Sequence, residues 1–192
     1  MHVVSLTGHG ARRSESGPHI TLGDHVADVV AMFDEHDLVE ATLVGHSYGG
    51  RVITRAWPQV ATRVRRMIYL DAHAPLGPAD AAGAAPYEVD DDGLIAFAEF
   101  VPSEGVVDAA FFERLVPQSA RTLAEPFRVE LPASLDKTFV HASAEPSEQF
   151  QSYAEAARRD PAWRYLEVPA THWLMYTHPH EVTAIILDPD HA

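Results

Sequence analysis

Two residues far apart in this sequence could together perform acyl chemistry: Ser47, in the stretch VGHSYGG from Val44 to Gly50, and His172, in VPATHW. A serine hydroxyl attacks a carbonyl efficiently only when a base removes its proton, and an imidazole on a loop after a later strand is suited to do so. The imidazole in turn needs a carboxylate to orient it. Carboxylates stand at two strand ends. Asp71 directly follows the apolar run Met67 to Leu70, and Glu145, with Glu148 behind it, follows Thr138 to Ala142. Asp71 is favoured, because its strand end is next to the nucleophile's, whereas Glu145 precedes a helix whose start attracts acids for dipole reasons alone. Glu145 remains the alternative.

The pattern around the serine is G-x-S-x-G, with an apolar run before it and a helical pattern after it. A strand that turns directly into a helix at such a corner holds the hydroxyl out at the carboxyl end of a sheet. Small residues are expected at Gly45 and Gly49, where larger side chains would collide with the neighbouring strand and helix. The helix start aims its free N–H groups at the site, so the backbone N–H of Tyr48 can help to hold a developing oxyanion. His46, beside the serine, is a candidate substrate-lining residue, and its simpler role is to pack or hydrogen-bond locally. The bland alternative for the whole motif is a glycine-rich turn with an inert serine. His178 and His180 flank Pro179 at a helix start and lack the carboxylate partners of a metal site. The run Asp90, Asp91, Asp92 lacks the spaced ligands and glycine of a calcium loop and reads as a solvated loop.

These side chains need a scaffold that brings distant segments to one edge. His2 to Thr7 is apolar and β-branched and reads as a strand, followed by a loop from Gly8 to His19. Val26, Val29, Val30 and Phe33 recur at helical spacing, with Thr21 and Asp24 placed to cap, and predict a helix through about Asp37. Ala41 to Val44 reads as a strand buried on both faces, then a helix from Arg51 to Trp57 that Pro58 stops. Met67 to Leu70, Thr138 to Ala142 and Tyr165 to Val168 repeat the strand pattern, with helices at Glu148 to Arg159 and Pro179 to Leu187. Between them, about residues 76–132 form an irregular insertion read as a lid, with a helical stretch carrying Val107, Phe111 and Leu115. Strands alternating with helices predict an α/β fold, a mostly parallel sheet flanked by helices, in one domain spanning residues 1–192.

Composition limits the partners. A formal charge of −14, from 14 basic and 28 acidic residues, repels phosphate backbones and anionic lipid, so neither nucleic acid nor a membrane is expected. No stretch reaches the ~20 apolar residues of a membrane span, no secretion signal opens the chain, and the expected location is cytoplasmic. With no cysteine, thiol nucleophiles and thiolate zinc are excluded. No cofactor or metal is expected; a homodimer is compatible with the sequence.

The stretches SLTGHGARR, DHVADVVAMF, ATLVGHSYGGRVI, RRMIYLDAHAPLG, PQSARTLAEP, KTFVHAS and VPATHWLM together resemble the α/β-hydrolase fold superfamily, in the branch of small-ester hydrolases, methyl-ester esterases and hydroxynitrile lyases. The resemblance touches nearly the whole chain. It implies Ser47 as nucleophile, His172 as base and Tyr48 as an oxyanion donor. Much of the branch carries an aspartate after the strand that here reads KTFVHAS, where Ser143 stands, which again raises Asp71. The lyases carry a lysine after the histidine; here it is Trp173, which disfavours cyanohydrin chemistry. Relatives also begin earlier, with a strand, a His-Gly oxyanion loop and a helix. By resemblance that strand would lie between His2 to Thr7 and Ala41 to Val44. The two could instead pair directly, another chain could fill the slot, or the sequence could be a fragment. Losing an oxyanion donor costs about a hundred- to a thousand-fold in turnover. The expected function is a serine hydrolase of a small carboxylic ester or thioester. The alternatives are a weakly active or non-catalytic ligand-binding relative, and a biosynthetic acyl-transfer or elimination enzyme using the same residues.

Overall fold

The computed structural model describes residues 1–76, 87–96, 111, 113–144 and 146–188. The chain divides into two compact units, Met1–Asp37 with Ala79–Phe127, and Leu38–Pro78 with Arg128–Ala192.

The second unit is built on four parallel strands in the order β1 (Ala41–His46), β2 (Val64–Leu70), β5 (Asp136–Ala142) and β6 (Arg164–Val168). Their alternating side chains bury two faces, as a parallel sheet requires. On one face Ile68, Leu70, Val140 and Val168 pack with Leu174 of α5 (Leu174–Thr177) and Val182 of α6 (Pro179–Leu187). Fully burying each large aliphatic side chain contributes about 1.5–3 kcal/mol. On the other face Tyr69 pairs with Phe139 across the ladder, and its hydroxyl lies 2.9 Å from that of Thr54 on α2 (Gly49–Val60). The amphipathic α4 (Glu148–Arg159) covers β5 and β6 there, with Arg158 4.5 Å from the ring centre of Tyr165. The ladder fixes where the strands end: His46 is level with Leu70, Leu70 with Val140, and Ala142 with Val168. Residues just beyond these positions share one edge of the sheet.

Two strands, β2 and β5, begin earlier than their apolar runs suggest, because charged residues at their starts find partners. Buried Arg66 reaches Asp136 at 3.3 Å, the Asp188 carbonyl at 2.9 Å and Thr138 at 3.3 Å, and Lys137 donates to the Leu135 carbonyl at 2.9 Å. Pro58 does not stop α2, which runs on to Val60 and then through a 3₁₀ turn, Ala61–Arg63. The missing N–H falls in the last turn, where the full burial of Ala56 and Val60 holds the helix against its loss. β1 lies at the sheet's edge with most of its residues half-buried, not buried on both faces as its sequence predicts.

In the first unit His2 to Thr7 is not a strand: it pairs with no strand among the described residues, and a strand is defined by its ladder. The segment is held instead at its end, where Asp28 on α1 (Leu22–Glu35) accepts from the Thr7 backbone N–H at 2.7 Å and from Arg12. Thr21 caps α1 in a reciprocal capping box with Asp24, as expected, and Val26, Val29 and Phe33 are buried. A short antiparallel pair, β3 (Leu94–Ile95) and β4 (Gln118–Ser119), and a single helical turn, α3 (Arg121–Ala124), lie within the predicted insertion. Asp90 accepts from the backbone N–H groups of Asp92 and Leu94, which makes the acidic run a turn. Most of the helical stretch from Val107 to Leu115 falls outside the described residues.

Candidate active site

Ser47 follows the last residue of β1 with φ at +51°, in the left-handed region that a side chain rarely adopts. Such a residue costs about 1–3 kcal/mol and persists where its surroundings over-determine it. Here they do. The Ser47 N–H donates to the Leu70 carbonyl at 3.3 Å, and its carbonyl accepts from the N–H groups of Gly50 and His73, each at 3.1 Å. The sharp corner places the N–H of Tyr48 at the start of α2, where Tyr48 already has helical φ and ψ.

The glycine requirement differs in part from the sequence expectation. A Cβ on Gly45 would meet the backbone carbon and oxygen of Gly49 at 2.7 Å, as expected. A Cβ on Gly49 would meet nothing within 4 Å, because the first turn of α2 points that position into open space. The crowded position is Gly50, whose Cβ would collide with the carbonyl oxygen of His73.

Asp71 leaves the end of β2 with φ at +40°, a second left-handed residue at the same edge. Its N–H donates to the Val140 carbonyl at 2.7 Å, which turns the side chain toward the end of β5. There Oδ1 accepts from the Ala142 N–H at 3.2 Å, and Oδ2 lies 2.7 Å from Nδ1 of His172. Asp71 is almost fully enclosed, whereas the His172 side chain remains 19% exposed. A carboxylate on Nδ1 selects the tautomer that leaves Nε2 as the proton acceptor. Of the two candidate acids, Asp71 is the one placed on the imidazole; Glu145 lies outside the described residues. At Ser143 the hydroxyl donates to the Val168 carbonyl at 3.3 Å.

β6 and β1 are the outer strands of the sheet, so His172 must travel back across β5 and β2. A tight turn starts the return: the Ala170 N–H donates to the Val168 carbonyl at 2.7 Å, and the Ala170 carbonyl accepts from Ala144 at 3.0 Å. Leu174, fully buried, anchors the other side. The ring is then clamped. Phe150 of α4 stacks on it with centroids 4.8 Å apart and planes at 15°, and the His46 ring approaches to 4.5 Å. His46 Nε2–H donates to the His172 backbone carbonyl at 2.8 Å. The residue next to Ser47 therefore touches the residue that Asp71 engages. Trp173 packs 5.5 Å from His46 and 5.8 Å from His172, where a lysine would offer a cation.

Burial holds His46 far below the ordinary imidazole range, with the nearby His172 adding to the effect. His73 is pushed down to about 3, first by burial and then by Arg51 and His172. Both rings are neutral at ordinary pH, so neither sets a positive charge beside His172. His73, Phe150 and His141 are site residues that the motif search did not find. His73 and His141 lie within two residues of recognised features, in DAHAPLG and KTFVHAS, whereas only the packing of α4 reveals Phe150. His178 bonds Thr177 at 3.0 Å, and no cluster of metal-ligating side chains occurs among the described residues.

Residues 1–185 match the sequence model of the alpha/beta hydrolase family. The chain belongs to that family. It is 30% identical to a carbendazim hydrolyzing esterase of Nocardioides sp. (strain SG-4G), over 92% of this chain and 82% of the relative. Among solved structures, it resembles the pyrethroid hydrolase PytH with a TM-score of 0.70 at 18% identity, covering 94% of this chain and 82% of that one. It also resembles an extracellular alpha/beta-hydrolase from a Paenibacillus species, with a TM-score of 0.66 at 22% identity, covering 94% and 83%. These structural likenesses establish the α/β-hydrolase fold with its parallel sheet flanked by helices. The sequence relative that it matches is an esterase. No helix among the described residues is long and apolar enough to cross a membrane.

Two predictions follow from this geometry. Gly50→Ala is expected to lose about 1–3 kcal/mol in urea unfolding through overpacking against the His73 carbonyl, while Gly49→Ala changes stability by less than about 0.5 kcal/mol; equal effects would refute the assigned crowding. The second concerns pH. An unfolded histidine binds its proton near pH 6.5, but folded His73 does so only near 3. Between those values the unfolded chain holds more protons, so stability falls as pH falls, by at most about 1.4 kcal/mol per pH unit for this residue. Urea midpoints from pH 7 to pH 4 should therefore decline, and less steeply in His73→Gln; an unchanged slope in that variant would remove His73 from the account.

Proposed function

We propose that this chain is a serine hydrolase that cleaves a small carboxylic ester or thioester through an acyl-enzyme. Ser47 Oγ attacks the carbonyl carbon as its proton passes to Nε2 of His172, and Asp71 stabilises the imidazolium through Nδ1. The carbonyl oxygen becomes an oxyanion, held in part by the N–H of Tyr48 at the positive end of α2. On collapse the alcohol or thiol leaves with the proton from His172. Water, deprotonated by the same imidazole, then attacks the acyl carbon, frees the acid and returns the proton to Ser47.

The observation that carries this reading is the 2.7 Å pairing of Asp71 with His172 at the sheet edge where β1 delivers Ser47. The esterase relative supports the same substrate class, and the aromatic Trp173 supports hydrolysis over cyanohydrin chemistry. Segment 76–132 is assigned the role of a lid that selects the acyl group; the apolar character of Phe97, Phe100, Phe111 and Phe112 suggests this, and of these Phe97, Phe100 and Phe112 lie outside the described residues. A cytoplasmic location fits the composition.

The test is labelling with a fluorophosphonate, followed by peptide mapping. The adduct is expected on Ser47 and absent from Ser47→Ala; a folded protein that leaves Ser47 unlabelled and turns over no aryl ester would overturn the proposal. Asp71→Asn should lower kcat by about 10³- to 10⁴-fold by presenting the wrong tautomer, whereas Glu145→Gln should change it by less than about threefold.

A further inference from the structure

Asp71 faces a second imidazole. His141, the next-to-last residue of β5, is buried at 7% exposure, and its Nδ1 lies 3.4 Å from Asp71 Oδ1, the oxygen that His172 does not use. That nitrogen is enclosed and has no aligned hydrogen-bond partner among the described residues. Such a group is rare, because leaving a buried polar atom unmatched costs about 1–3 kcal/mol. A deprotonated Nδ1 would turn its lone pair toward a carboxylate oxygen, so the favoured tautomer carries hydrogen there. The separation is long for an N–H···O hydrogen bond.

The surroundings of His141 are charged on two sides. Beyond the end of β2 stand Asp71 and, through it, His172. Across the ladder on β6 its register partner is Glu167, with Tyr165 at a centroid distance of 6.3 Å. Arg158 of α4 engages Glu167 at 2.9 Å and the Tyr165 hydroxyl at 3.0 Å. Glu167 therefore has a cation and a hydroxyl of its own. The acceptor that His141 Nδ1 faces is Asp71.

We infer that His141 is a positioning residue, whose Nδ1–H turns to Asp71 Oδ1 and holds the carboxylate in line with His172. With the Ala142 N–H it gives Oδ1 two donors from β5, while Oδ2 keeps the one from His172. The carboxylate cannot then swing away, and part of its charge is drawn from the catalytic imidazole. This inference rests on the proposed serine-hydrolase reading, in which His172 must be neutral to accept the serine proton.

The consequence has a definite sign. Removing the donor at Oδ1 leaves more negative charge facing His172, which favours the imidazolium, so the base becomes neutral only at higher pH. With p-nitrophenyl acetate as substrate, His141→Phe is expected to move the acid limb of the kcat/KM profile upward. It should lower kcat about tenfold, well short of the loss of the base itself, with KM within about twofold. His141→Asn, whose amide nitrogen takes the place of Nδ1, restores both; His141→Gln, which places its amide elsewhere, restores neither. The Asn and Gln pair decides the matter if the Phe variant fails to fold. An independent readout is the far-downfield proton spectrum in water, where the His172 Nδ1–H resonance should shift in the Phe and Gln variants and stay in the Asn variant. Loss of thermal stability with an unmoved acid limb and an unmoved His172 resonance would overturn the inference and leave His141 a packing residue. If the resonance shifts while the parent neither labels at Ser47 nor turns over the ester, the coupling stands and the hydrolase reading falls instead.

Discussion

An acid placed out of contact with water must be met by donors, and Asp71 is such an acid, with 2% of its surface exposed. A buried carboxylate without partners would cost several kcal/mol in desolvation. Much of the surrounding architecture meets that need. β5 ends where its Ala142 N–H can reach Oδ1, and the strained backbone of Asp71 is tied to Val140. The loop after β6 returns across two strands to bring an imidazole to Oδ2. The parallel ladder lets one side chain collect these contributions, because it brings all four strand ends to the same level. Ser47 profits from the same arrangement: its own strained turn is bonded to the end of β2 and to the loop that follows.

Much of this was legible in the sequence. Buried parallel strands read as apolar runs, and the residues next after Val44, Leu70, Ala142 and Val168 include most of the candidate site. The adjacency of the two strands singled out Asp71 over Glu145, and the Asp71 carboxylate does meet the His172 imidazole. What escaped reading depended on contacts across the sheet. The need for glycine at position 50 rather than 49 comes from the carbonyl of His73, more than twenty residues away. Pro58 is tolerated because the last turn of α2 is anchored by burial, which local propensity does not report. His2 to Thr7 has strand composition, but composition supplies no ladder partner, and Asp28 and Arg12 hold its end by side chains instead. Phe150 belongs to the site only because α4 lays it against the imidazole.

Family membership and chemistry rest on different observations. The sequence relative and the solved structures fix the fold across nearly the whole chain. The assignment of roles comes from a few short distances around one carboxylate. Position 143, where the resemblance leads one to expect the acid, carries a hydroxyl bonded to the neighbouring strand's carbonyl. A carboxylate from the end of β2, Asp71, meets the His172 imidazole instead, and the Ala142 N–H at the end of β5 donates to it.

The route of the His172 loop has one more consequence. The imidazole is fastened to the sheet by a tight turn on one side and by a four-residue helix on the other, and the closing helix beyond it buries Val182 and half-buries Ile185 and Ile186. Elements with so little apolar anchorage open at lower free energy than a sheet core. Mild heat or denaturant would thus part the imidazole from Asp71 reversibly while the strands stay paired, and cooling would restore the contact.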